Sequence, residues 1–207
     1  MIVSAAFLAS SLLVIASPGP DSALVVHRVV QARRRAPAYL TMAGILTAGT
    51  LHATLAVVGV AELLDRHPGQ LTTLRWAGAL GLFCWGAVIL AASVRARPAG
   101  STTGAVPTRP KVHPYWQGVL CTGTNPKVGV FLLAFLPQFV PAGVPPGRAM
   151  TVLAAVHLSL AAVWLVTLAE AAHRLRASVD RPGVQRAVAL MTGVLFMGFA
   201  VRMALVS

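Results

Sequence analysis

The chain has 207 residues, of which 57% are hydrophobic and only 11% are Asp, Glu, Lys or Arg, and its mean hydropathy is +0.75. Soluble domains carry about 25% charged residues, so this composition excludes a soluble globular domain. The net charge of +12 does not indicate nucleic-acid binding, because the basic residues form short clusters between long apolar runs. The sequence therefore predicts an integral membrane protein with basic loops.

Six apolar stretches are long enough to cross a bilayer, since about 30 Å of hydrocarbon requires about twenty helical residues. They are Ile2–Val26 (interrupted), Ala38–Ala61, Leu71–Val94, Tyr115–Leu136 (interrupted), Ala149–Ala171 and Val184–Val206. Their hydrophobicity is continuous rather than alternating, which favours helices over strands. The predicted fold class is an all-α integral membrane protein with about six transmembrane helices.

The connections between these stretches alternate in charge. Those after the first, third and fifth stretches hold twelve Lys and Arg residues, whereas those after the second and fourth hold three. The positive-inside rule places the odd connections in the cytoplasm, and both termini outside if all six stretches span. The first stretch is broken after about 22 Å of helix. If that piece is re-entrant, five segments span and the N-terminus is inside.

A proline-rich basic linker at residues 95–114 divides the chain into two parts of three apolar stretches each, residues 1–94 and 115–207. Because three is odd, the two predicted repeats are inverted relative to one another. Proline breaks the first stretch of each repeat, at Pro18-Gly19-Pro20 and at Asn125-Pro126, about 107 residues apart. Paired breaks of this kind indicate the binding site of a secondary transporter. Proline kinks that serve packing alone are the alternative.

Charged residues directly follow both breaks, and charges inside a membrane point to function. Asp21 follows Pro20, where it either binds a substrate or ion or only stabilises the first turn of a new helix. Lys127 follows Asn125-Pro126, where a cation opposes the helix dipole near the middle of the bilayer. It therefore needs an anionic partner, either Asp21 or a substrate carboxylate, and free N–H groups after Pro126 would strengthen that anion site. A purely structural Lys127–Asp21 pair and snorkelling to water are the alternatives.

Other polar residues in the apolar stretches are weaker candidates. His52 and His157 occupy the second stretch of each repeat, 105 residues apart. They are candidate proton relays, although hydrogen bonding within the bundle is the more ordinary role. Glu170 is expected to pair with Arg174, four residues further along a helix. There is no CxxC, HExxH or Walker A motif, so neither a metal site, a cofactor nor a catalytic residue is predicted.

Taken together, these motifs resemble those of the LysE/RhtB family of amino-acid exporters, in its RhtB-like branch. The matching elements are Pro18-Gly19-Pro20-Asp21, Arg34-Arg35, Ala77-Gly78-Ala79, Trp85-Gly86, Asn125-Pro126-Lys127 and Phe131–Phe139. The resemblance follows the whole chain in order and spacing. It implies a multi-pass protein of the bacterial inner membrane that exports amino acids or related metabolites, driven by the proton gradient. It also implies that the proline breaks and the residues Asp21, Asn125 and Lys127 belong to the site.

The resulting hypothesis is an exporter, not an enzyme, with a central site between the two broken helices. Lys127 would hold the substrate carboxylate, and Asp21 would take the substrate ammonium or the returning proton. The expected partners are a small amino-acid-like molecule, protons and the lipid bilayer, and a homodimer is compatible with the sequence. Two other classes remain open, a non-transporting membrane subunit and a thiol–disulfide electron carrier of related architecture. The second is disfavoured because Cys84 and Cys121 lie at neither break.

Overall fold

The computed structural model describes residues 2–17, 19–32, 35–66 and 112–174, together with isolated positions between 69 and 91 and between 190 and 198. Every regular element in these residues is helical. The elements are α1 (Ala5–Ala16), α2 (Pro20–Ala32), α3 (Ala36–Leu55) with a π-helical extension (Ala56–Val60), α4 (Ala61–Arg66), α5 (Pro114–Gly123), α6 (Pro126–Val130) with π-helical (Phe131–Phe135) and 3₁₀ (Leu136–Phe139) extensions, and α7 (Pro146–Arg174). The predicted all-α fold class is confirmed.

Two described helices are long and apolar enough to cross a bilayer, Ala36–Val60 and Pro146–Arg174. Two bent pairs reach that length only when both members are counted: α1 with α2, bent by 51°, and α5 with Pro126–Phe139, bent by 53°. The bends fall at the two proline breaks. The predicted stretches Leu71–Val94 and Val184–Val206 and the linker at 95–114 lie largely outside the described residues, so the inverted repeat stays a prediction.

The residues at the breaks explain why the helices end and restart there. Ser17 and Asn125 each precede a proline and have extended backbone, with ψ angles of 131° and 107°. Proline disfavours the helical conformation in the residue before it. The next helices then start with Pro20 and Pro126, because the first position of a helix does not need the N–H that proline lacks.

The helices pack around two buried apolar clusters at different levels of the bundle. The Phe7 cluster joins α1, the α6 extension and the first half of α7, through Phe7, Val14, Phe131, Phe135, Met150 and Leu153. The Val25 cluster joins α2, the first half of α3 and the second half of α7, through Val25, Val29, Ala38, Met42, Leu165 and Ala169. The start of α3 therefore lies beside the end of α7. These are the two ends that the charge distribution assigns to the cytoplasm.

α3 and α5 approach each other backbone to backbone at two glycines. A Cβ atom on Gly44 would overlap the carbonyl oxygen of Tyr115, and one on Gly118 would overlap that of Thr41. Glycine is common at such helix crossings in membranes because lipid provides no hydrophobic force and close packing must hold the helices together. This contact fixes α5, and with it the second break, against α3.

Candidate functional site

Asp21 lies in the first turn of α2, and residues of the second break hold its carboxylate. Oδ1 accepts a hydrogen bond from Thr122 Oγ1 at 2.9 Å, and Oδ2 accepts one from Asn125 Nδ2 at 3.0 Å. Both contacts join residues more than 100 positions apart in the chain. They connect the two broken helices. Asp21 therefore does more than stabilise the first turn of α2.

Asn125 is 3% exposed and uses both ends of its side-chain amide. Oδ1 accepts a hydrogen bond from the backbone N–H of Lys127 at 3.1 Å and so caps α6, while Nδ2 donates to Asp21. Its backbone carbonyl accepts the N–H of Gly129 at 3.3 Å. The N–H of Lys127 is therefore not free, and the N–H of Gly129 makes the first ordinary backbone bond of α6. The anion site expected after Pro126 stays a prediction.

The side chain of Lys127 is buried, with 7% exposed, and reaches the first break. Its Nζ donates to the carbonyl oxygen of Ser17 at 2.8 Å, beside Gly19. Ser17 caps the C-terminal end of α1, where helix carbonyls carry partial negative charge and stabilise a cation. The carboxylate of Asp21 also interacts electrostatically with this ammonium. A cation that is unfavourable at the start of its own helix is thus stabilised by the end of another.

Asp21 and Lys127 both line a cavity bounded by α1, α2, α3, α5, α6 and α7. Its volume, counted as space open to the centres of water molecules, is about 60 Å³. One water needs about 10–15 Å³ by this measure, so the cavity accommodates several waters or a small molecule. The lining residues Ile45 and Gly49 follow the start of α3 by nine and thirteen residues, or about 14–20 Å. The cavity therefore lies near the middle of the span, between the Phe7 cluster and the Val25 cluster.

The two histidines have different surroundings. His157 is 6% exposed, lines the cavity, and stacks on the ring of Phe131 with centroids 4.3 Å apart. His52 places Nδ1 3.1 Å from the carbonyl oxygen of Ala48 in its own helix and packs against Gly129. His52 does not line the cavity. The structure therefore brings only one of the two candidate relay residues to the site, and the relay role stays a prediction for both.

The remaining predicted break residues divide between the described and undescribed parts of the chain. Gly19, Pro20 and Pro126 lie at the two bends, whereas Pro18 lies outside the described residues. Within the described ranges, no group of three or more His, Cys, Asp or Glu side chains is arranged to hold a metal ion.

Thr122 and Trp164 are among the residues of the site that are absent from the sequence-based prediction. Thr122 precedes Asn125 by three residues, which is about one helical turn. Trp164 lines the cavity seven residues after His157, and that spacing places both on the same face of α7. Helical spacing from the residues already singled out is the signal that identifies them.

Polar side chains connect the start of α3 with the end of α7. Glu170 accepts a hydrogen bond from the hydroxyl of Tyr39 at 2.9 Å and forms an ion pair with Arg35 at 3.3 Å. The predicted pairing of Glu170 with Arg174 is wrong. Antiparallel packing brings two partners from α3 to Glu170, and these replace the neighbour one turn along its own helix.

Residues 12–207 match the family model described as LysE type translocator. The chain belongs to this family. An uncharacterized membrane protein of Pseudomonas aeruginosa is 33% identical over 92% of this chain and 89% of its own length. A leucine efflux protein of Salmonella typhimurium is 26% identical over 96% of this chain and 92% of its own length. A homoserine/homoserine lactone efflux protein of the same species is 28% identical over 93% and 91%. No solved structure matches the chain.

Membership confirms the resemblance drawn from the sequence motifs, and the matched residues include both breaks. A LysE type translocator is a membrane transport protein, so the family assignment favours transport over the thiol–disulfide carrier and the non-transporting subunit. Both cysteines of this chain are free, Cys84 exposed and Cys121 partly buried.

Proposed function

We propose that this LysE type translocator exports amino acids or related small metabolites across the bacterial inner membrane, with the cavity between the two breaks as its substrate site. One observation carries the proposal: a buried cation and a carboxylate, one from each broken helix, line the same small cavity. An amino acid at neutral pH is a zwitterion and needs a partner for each of its charges. Two proteins similar to this chain are named for efflux of leucine and of homoserine or its lactone.

The position of both charged groups supports these roles. Lys127 lines the cavity while its Nζ donates to Ser17. A carboxylate has about four acceptor positions, and each oxygen of Asp21 accepts one hydrogen bond from the second break. Lys127 is proposed to bind the substrate carboxylate and Asp21 the substrate ammonium. Asn125 orients Asp21 and caps the helix that carries Lys127.

Proton coupling is the second part of the proposal. Asp21 cannot hold a proton and the substrate ammonium at the same carboxylate position, so binding of one excludes the other. Such exclusion links an outward flux of substrate to an inward flux of protons when the two broken helices alternate access around a central site. His157 lines the cavity and His52 does not, which makes His157 the better placed of the two histidines to relay the proton.

Metabolite profiling of bacterial culture medium tests the export proposal. Cells that overproduce the protein are loaded with dipeptides, and external amino acids are compared for wild type, Lys127→Ala and Asp21→Asn at equal membrane abundance. Matched controls are Arg66→Ala and Glu62→Gln, which make the same changes of charge in an exposed ion pair. We expect one amino acid to accumulate outside cells with wild type and both controls, and not with the site variants. Equal accumulation with the site variants contradicts the proposed site.

Proton coupling has a separate test in liposomes that contain the purified protein. A pH gradient should drive accumulation of the substrate identified in cells, and a protonophore should abolish it. We expect Asp21→Asn to lose the dependence on the gradient. Substrate accumulation by wild type that is unchanged by the protonophore would refute coupling and leave export in place.

A further inference from the structure

One face of α7 contributes two turns of residues to the cavity wall, and these residues are His157, Leu158, Ala161, Trp164 and Leu165. Two of them have polar side chains, and their polar atoms include Nδ1 of the His157 imidazole and Nε1 of the Trp164 indole. Both atoms are buried and have no hydrogen-bond partner among the residues that the structure describes. The proposed contacts with the substrate ammonium and carboxylate use neither atom.

Unpartnered polar atoms in a cavity wall carry information about the ligand. Buried polar groups in folded proteins are almost always hydrogen-bonded to protein or to ordered water. A ligand that displaces such water must replace its hydrogen bonds, or the buried groups lose their partners. An aliphatic ligand cannot replace them, whereas a ligand with a polar side chain can.

His157 and Trp164 lie seven residues apart on α7, and both line the cavity. Seven residues correspond to about 10 Å along a helix axis. Side chains on a helix lean towards its N-terminus, so the imidazole and the indole lean in the same direction along α7. The ring of Phe131, stacked on His157 at 4.3 Å, fixes the plane of the imidazole. The part of the wall formed by α3 presents the apolar residues Ile45 and Leu46.

We propose that His157 and Trp164 form the subsite for the substrate's side chain, and that this subsite selects side chains with a hydrogen-bonding oxygen or nitrogen over aliphatic side chains of the same shape. This inference rests on the proposed function, because it requires the cavity to hold the substrate. It adds a discrimination that the charged pair of Asp21 and Lys127 cannot provide, since every amino acid carries the same two backbone charges. A lost hydrogen bond to one buried group corresponds to roughly a tenfold preference.

Transport of matched substrate pairs tests the subsite. Threonine with valine, homoserine with norvaline, and asparagine with leucine are pairs of nearly identical shape that differ in polar atoms. Their rates are measured in proteoliposomes that contain the full-length protein. For a pair that is transported, we expect wild type to prefer the polar member by about tenfold or more.

Two variants assign that preference to the proposed residues. His157→Phe and Trp164→Phe retain an aromatic ring and remove the polar atom. Each should lower the ratio of polar to aliphatic transport about tenfold. Trp164→Phe should do so through a slower rate for the polar member alone, whereas His157→Phe also removes the proposed proton relay, so that its effect on selection is judged by the ratio and not by the absolute rates. Matched controls are His27→Phe and Trp116→Phe, which replace exposed residues outside the cavity and should leave the ratio unchanged.

The outcomes distinguish failure of the subsite from failure of the proposed function. If wild type transports the aliphatic members as fast as the polar ones, the subsite is overturned and export stands. If both variants leave the ratio of polar to aliphatic transport unchanged, the residues do not select the side chain, which also overturns the subsite. If wild type transports no amino acid in cells or in liposomes, the proposed function itself fails.

Discussion

Substitutions at Asn125 separate the two contacts that its side chain makes. Asn125→Ser retains an oxygen that caps α6, because serine is as good as asparagine at this position, but it lacks the amide that donates to Asp21. Asn125→Ala removes both contacts. Asn125→Asp retains the capping oxygen and replaces the donor with a second carboxylate beside Asp21. Asn125→Ser therefore loses the Asp21 contact alone, and Asn125→Ala loses both contacts. Asn125→Asp loses the Asp21 contact and adds a repulsion.

The expected costs follow from the two hydrogen bonds. A helix N-cap contributes about 1 kcal/mol. A hydrogen bond to a charged group contributes about 1.5–3 kcal/mol, and side-chain hydrogen bonds between membrane helices average about 0.6 and reach about 1.7 kcal/mol. Taking about 1.5 kcal/mol for the contact with Asp21, we expect Asn125→Ser to lower the free energy of unfolding by about 1.5 kcal/mol and Asn125→Ala by about 2.5 kcal/mol. Asn125→Asp should cost more than Asn125→Ser, because two carboxylates would lie about 3 Å apart.

The free energy of unfolding is measured by denaturant titration in mixed micelles, and export is measured in dipeptide-loaded cells. We expect all three variants to export more slowly than wild type, because Asp21 loses the group that orients it. If Asn125→Ser and Asn125→Ala are equally destabilised, the capping contribution is refuted. If Asn125→Asp is as stable as wild type, the contact between Asn125 and a charged Asp21 is refuted.

Three further predictions use the same unfolding assay. Gly118→Ala should lower the free energy of unfolding by about 1–3 kcal/mol, because its methyl group would overlap the backbone of α3. Gly147→Ala should not destabilise the protein, because Gly147 has open space around it. Equal losses of stability in the two variants would contradict the backbone contact. Glu170→Gln should lower the free energy of unfolding by less than about 1 kcal/mol, because its ion pair with Arg35 is partly exposed. A larger loss would show that this ion pair contributes substantially to the stability of the helix bundle. The double variant Asp21→Asn with Lys127→Met should lower the free energy of unfolding by less than the sum of the single changes, since each single change leaves a charge without its electrostatic partner. Strict additivity would show that the two charges do not interact.

The positions of the breaks could be predicted from the sequence because proline acts on its immediate neighbours. Extended backbone at Ser17 and Asn125, and new helices at Pro20 and Pro126, require only the local sequence. The same reasoning places Asp21 in a first helical turn, where the structure has it. The partners of these residues are a different matter, because Thr122 meets Asp21 only when two distant helices pack together.

Hydrophobic periodicity could not identify which face of each long helix lines the cavity. In a soluble helix the apolar face is the buried one, but lipid is as apolar as a protein core. On α7 the exposed Val163 and Val166 are as hydrophobic as the buried Leu165, so the pattern does not distinguish lipid from core. Polar residues are the better indicators in such a helix. His157 identifies the cavity face of α7, and the spacing from it identifies Trp164.

The contacts of Asp21 and Lys127 bear on how access to the site alternates between the two sides of the membrane. A buried ion pair adds little stability by itself, because desolvation offsets the attraction between the charges. Here neutral groups of the opposite break hold each charge: the Ser17 carbonyl binds Lys127, and Thr122 and Asn125 bind Asp21. A zwitterion bound between the charges would compete for these contacts and so weaken the connection between the two broken helices, and its release would restore that connection. We infer that substrate occupancy and the relative position of the broken helices are linked in this way, since a ligand shifts a conformational equilibrium only through interactions that differ between the two states.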